Sequence, residues 1–104
     1  MNTSFLEILN KNIPVNTRII NWSVDNKFNV PYYTYLGIVN QRCILLHPET
    51  NKEIKISENS FQYLYTNWQQ YKKGKILRNE LRQHDRFTTY TICIFKYLED
   101  NSII

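Results

Sequence analysis

Glycine occurs only twice in these 104 residues, at Gly37 and Gly74, so no glycine-rich loop can bring a run of backbone amides against a phosphate. Cysteine is equally scarce. Cys43 and Cys93 stand alone, with no CxxC and no Cys/His grouping at ligand spacing, which argues against a zinc site or a disulfide framework and for two reduced, buried thiols. The two histidines, His47 before a proline turn and His84 at a helix end, have no nucleophile at a recognisable spacing, so neither Cys/His nor Ser/His catalysis is indicated. No apolar run approaches the roughly 20 residues of a membrane span. The opening MNTSFLEILNKN lacks the basic start and long apolar stretch of a secretory signal, so the expected compartment is the cytoplasm, with no membrane partner.

What is present is apolar and aromatic. A hydrophobic fraction of 42% and an aromatic fraction of 14% suffice for a core, and the length fits one domain, 1–104. Ser4-Phe5-Leu6-Glu7 has capping-box spacing and predicts a short helix to about Asn10. Arg18 to Val24 alternates as a strand, with Ile20, Trp22 and Val24 on one side and Asn21 and Ser23 on the other, before 25–29 breaks the pattern. Tyr32 to Val39, Cys43 to Leu46 and the alternating Ile54 and Ile56 give three more strands, joined by the polar turns Asn40-Gln41-Arg42 and His47 to Lys52.

After Ser57 the period changes from two to between three and four. Phe61, Leu64, Tyr65, Trp68 and Tyr71 fall on one helical stripe, capped at its start by Ser57 or Asn59 and ended by Gly74. Ile76 to His84 predicts a second helix with Leu77 and Leu81 inward, and Asp85-Arg86-Phe87 a turn. Thr88 to Glu99 reads two ways. As a helix it aligns Thr91, Ile94, Phe95 and Leu98; as a strand it has strong β propensity. Helix is favoured because a helix precedes it directly and Lys96-Tyr97-Leu98-Glu99 closes it. The expected class is α+β: a small antiparallel β-meander or curled barrel over 1–57 with a short N-terminal helix, followed by a basic, mainly helical region over 58–104.

Charge is concentrated in that second region. From Lys72 to Glu99 the cations Lys72, Lys73, Lys75, Arg78, Arg82, Arg86 and Lys96 face Glu80, Asp85 and Glu99, an excess of four that equals the net charge of the whole chain. Such clustering points to a polyanionic partner, nucleic acid first. The layout of residues 76–99, a helix with two leucines, a tight turn, a Thr-rich start and a closing Lys-Tyr-Leu-Glu, resembles helix-turn-helix DNA-binding proteins over about a quarter of the chain. The resemblance implies that Thr88, Thr89, Tyr90 and Cys93 face the major groove, with Arg86 and Lys96 near phosphates and Lys72, Lys73 and Lys75 gripping the backbone.

The expected function is therefore non-enzymatic nucleic-acid binding, DNA rather than RNA, without metal or cofactor. Glu53-Ile54-Lys55 has the E-x-K form of metal-dependent nucleases, but its second ligand would have to be Asp25 or Glu49, and an alternating strand explains it as well. The alternative is a protein-interaction module, such as a phage or mobile-element inhibitor or regulator of a nucleic-acid-processing enzyme, suggested by eight tyrosines and two tryptophans. Exposure of Tyr32, Tyr33, Tyr35 and Tyr63 away from the basic patch would favour it.

Overall fold

The computed structural model describes residues 4–22 and 30–104. Their order is α1 (Phe5–Asn12), β1 (Thr17–Ile20), β2 (Tyr32–Val39), β3 (Arg42–Leu46), β4 (Glu53–Ser57), α2 (Glu58–Lys72), α3 (Arg78–His84) and α4 (Thr88–Asp100). The strands form one antiparallel sheet in sequential order, β1-β2-β3-β4, so the chain is an α+β meander. The expected alternative of a curled barrel is not realised, because β1 and β4 remain as edges and the sheet does not close.

Turn chemistry fixes the register. Asn40 and Gln41 both have positive φ, 51° and 62°, so β2 and β3 are joined by a two-residue turn whose twist matches that of the flanking strands. In the β3–β4 connection His47 Nδ1 accepts from the amides of Glu49 at 3.2 Å and Thr50 at 3.3 Å, and Asn51 takes up a left-handed conformation with φ 56°. A bulge shifts the β2–β3 pairing between Tyr35 and Gly37, where Gly37 has φ 104°.

Directly opposed residues share a sheet face. Ile19 opposite Tyr33, Tyr35 opposite Leu45 and Cys43 opposite Ile56 therefore point to one side, where they join Leu9, Phe61, Leu64, Phe95 and Leu98 in a single buried cluster. α1 lies against β2, α2 against β4 and α4 against β1, and Phe5 stacks on Phe61 and packs at a tilt against Phe95 to tie the helices together. Ile44 is equally buried but lies outside that cluster, on the helix-free face.

Helix ends follow local signals. Ser4 Oγ accepts from Glu7 N at 3.1 Å, and the carboxylate of Glu58 accepts from Phe5 N and Leu6 N, each at 3.0 Å. α1 is thus capped by a residue from the start of α2. Neither candidate cap of α2 itself makes a side-chain bond: Ser57 stands at the cap position without one. At the far end Gly74, with φ 77°, lets Lys75 N reach Gln70 O and Gly74 N reach Tyr71 O, a paired C-terminal closure.

Three expectations change, and one open reading closes. β1 has the opposite phase to the one read from alternation: Ile19 is fully buried and Ile20 is 66% exposed, because pairing with Tyr33 decides which isoleucine turns inward. Asn21 consequently faces the interior, where its amide donates to Val30 O and its carbonyl accepts from the Cys93 thiol. α3 starts two residues later than expected, so Leu77 precedes it and is exposed, leaving Leu81 as the inward residue. Tyr65, expected on the core stripe, is 58% exposed at the edge of the Phe5–Phe95 cluster. Residues 88–98 are helical, resolving the two readings of that segment. Ser23 and Val24, the break at 25–29 and the candidate ligand Asp25 lie outside the described residues.

Candidate nucleic-acid interface

The ten residues expected to meet nucleic acid separate into three groups. Lys73 and Lys75 flank Gly74 in the α2–α3 connection, Arg82 stands on α3, and Arg86 lies in the α3–α4 turn with its guanidinium 4.9 Å from the Phe87 ring centre. All four are exposed, and among the described residues none forms an ion pair. α3 is held to α2 by His84 against Tyr63, with ring centres 6.0 Å apart, and to α4 by the turn in which Asp85 Oδ1 accepts from Phe87 N at 2.8 Å.

Lys72 and Lys96 belong to a different surface. Lys72 pairs with Glu99, which also accepts from Trp68 Nε1 at 3.2 Å, and Lys96 pairs with Asp100 at 3.1 Å while lying 5.1 Å from the Trp22 ring. The hydrogen bond from Lys72 holds the Glu99 carboxyl below its ordinary value, against the opposing pull of desolvation, with Trp68 and the charge of Lys96 adding to the effect. Two cations here meet two carboxylates. Residue 100, one position past the segment whose charge was counted, supplies one of them, so the basic excess is smaller and more localised than the sequence indicates.

The remaining residues turn inward. Thr88 is only 1% exposed and its hydroxyl donates to Asp85 O at 2.7 Å, while Cys93 is buried with its thiol directed at Asn21 Oδ1 and Thr89 O. Neither can reach a base edge, correcting the placement that the helix-turn-helix resemblance implied. Thr89 and Tyr90 are half-buried, and the Tyr90 ring lies 5.2 Å from Tyr33. Arg78 is also half-buried, its Nε enclosed without a hydrogen-bond partner and its charge lowering the pKa values of Tyr33 and Cys93 against stronger desolvation. Ile92, Ile94 and Phe95 are all buried, so α4 carries no continuous polar face.

The tyrosines weigh against a partner-docking surface of the kind suggested by composition. Tyr33 and Tyr35 are 4% and 1% exposed, and Tyr32 and Tyr63 are half-buried. A cleft of about 670 Å³ between α1, the β2–β3 turn and the start of α2 is lined by polar and apolar groups alike, and of its two carboxylates, Glu7 and Glu58, the second is already engaged with the amides of α1. Among the described residues no three His, Cys, Asp or Glu side chains are grouped to hold a metal, and no helix is long and apolar enough to cross a membrane. No protein-family model, curated protein or solved structure matches the chain.

Proposed function

We propose that this is a small non-enzymatic nucleic-acid-binding protein that holds the phosphate backbone of duplex DNA with Lys73, Lys75, Arg82 and Arg86. The observation that carries the reading is the state of these four side chains: exposed, unpaired by carboxylates and confined to one stretch from the end of α2 to the start of α4. Binding then rests on counterion release and is largely independent of sequence, since the first turn of α4 is occupied with the core. The histidines support a non-catalytic role, His47 as acceptor for a turn and His84 as a ring against Tyr63.

Fluorescence anisotropy with a labelled duplex, repeated across salt concentrations, tests this. Four phosphate contacts predict a slope of log K against log salt of roughly −3.6, at about 0.9 per contact. Replacing all four cations by alanine should abolish binding at low salt while leaving the thermal midpoint nearly unchanged, as expected at exposed positions. Absence of binding to the duplex at low salt, or binding indifferent to salt, removes the proposal; tighter binding to an RNA duplex would reassign the substrate.

A further inference from the structure

The face of the sheet turned away from the helices carries Leu36, Ile44 and Leu46 on its central strands, Arg42 at the hairpin end of β3, and Arg18, Glu53 and Lys55 on its two edge strands. Leu36, Ile44 and Leu46 lie outside the buried core cluster, and Val39 and Ile20 are 54% and 66% exposed beside them. A concavity of about 600 Å³ runs over this face between β2 and β4. Gly37, opposite Ile44 on this face, lies beneath Val15, whose methyl stands 3.4 Å from where a Cβ would be.

The registers place four residues in one line across this face. Arg18 opposes Thr34, Thr34 opposes Leu46, and Leu46 opposes Glu53. The row therefore reads positive, polar, apolar, negative from one edge strand to the other. Three strand spacings of about 4.8 Å separate its charged ends by roughly 14 Å, too far for them to meet within one chain. A two-fold axis in the plane of contact, running along the strands between β2 and β3, carries β1 of one copy over β4 of another. That operation sets Arg18 opposite Glu53 twice, which is the condition for an isologous interface.

We infer that the helix-free sheet face binds a second copy of this chain, giving a sheet-on-sheet dimer centred on Ile44 and Leu46 and closed at both edges by Arg18–Glu53 pairs. Arg18 is held ready on this face by the Tyr32 ring, 4.6 Å from its guanidinium carbon. The inference stands apart from the DNA-binding proposal, because none of the four proposed phosphate contacts lies on the sheet.

Sedimentation velocity of the full chain without nucleic acid, over a concentration series reaching hundreds of micromolar, tests it. A concentration-dependent shift from monomer to dimer is expected. R18E alone and E53R alone each place like charges together twice and should weaken association by about tenfold or more. R18E combined with E53R restores the pairing with its sign reversed and should recover the dimer. V39D, at an exposed position, should also weaken it, with circular dichroism confirming that each variant is folded. A chain that stays monomeric throughout, or a dimer that tolerates R18E, or one that the double variant fails to restore, overturns the inference.

Discussion

At the scale of single residues, backbone conformation gives a prediction of unusual sign. Gln41 holds φ 62° at the tip of the β2–β3 hairpin, in the second central position of a turn that glycine suits best. Removing its Cβ relieves left-handed strain, so Gln41→Gly should stabilise the protein by roughly 0.5–1 kcal/mol. Gly74→Ala should act oppositely. Nothing lies within 4 Å of the added carbon, so the cost is that of φ 77° alone, about 1 kcal/mol. Urea denaturation of the two variants would show midpoints moving in opposite directions with unchanged slopes. The polar pair Asn21 and Cys93 offers a chemical readout at the same scale. Burial pushes the Cys93 thiol up to about 11 and the Cys43 thiol up to about 12, so neither supplies thiolate at pH 8 in the folded chain. A disulfide-exchange reagent should find both unreactive until denaturant is added; rapid modification of the native protein would contradict this placement.

At the scale of elements, the junction between α1 and α2 depends on Glu58. Its carboxylate accepts from two first-turn amides of α1 and from the Gln62 side chain at 2.7 Å. Glu58→Ala leaves those amides without their acceptor and should cost about 1–2 kcal/mol, a fall in thermal midpoint of several degrees for a domain of this size. The loss should appear as earlier hydrogen exchange across α1 before any other helix. Here the sequence was informative only in part. The stripe of Phe61, Leu64, Trp68 and Tyr71 and the glycine that ends α2 were legible, because a 3.6-residue period and a left-handed closing residue are local properties. The same holds for β2, whose bounds match the run from Tyr32 to Val39. β1 was misread because two adjacent isoleucines fit either phase, and a partner strand, absent from any local window, makes the choice. Leu77 and Thr88 were misread for related reasons. A later start to α3 removes the first from its apolar stripe, and a hydroxyl satisfied by Asp85 O allows the second to be enclosed.

At the scale of the whole molecule, pH is the informative variable. Desolvation by burial pushes the phenols of Tyr33 and Tyr35 up to about 12, from an ordinary value of 10.0, and the two thiols rise from 9.0. A group whose pKa is higher folded than unfolded contributes fully below its unfolded value and loses that contribution as pH climbs through the folded one. Stability should therefore hold to about pH 9 and decline between about pH 9 and pH 12, with unfolding in that interval releasing protons. Calorimetric midpoints measured every half unit check this. A flat response across the interval would mean that the four groups are more hydrated than their enclosure implies. The basic surface was legible at this scale in kind but not in extent. Lys72 and Lys96 looked available because Asp100 follows the segment in which the charge was counted, and because the contact between Glu99 and Lys72 depends on how α4 lies along α2.

The placement of α4 also governs the order in which the protein can be completed. Cys93 meets the Trp22 amide across a separation of 71 residues, and Phe95 fills the space between Phe5, Phe61 and Trp68. Until α4 is in place the sheet stays open to water over β1, because α1 lies against β2 and α2 against β4. Released chains truncated before residue 88 should thus be protease-sensitive and bound by chaperones, while those that retain residues 88–100 should be resistant.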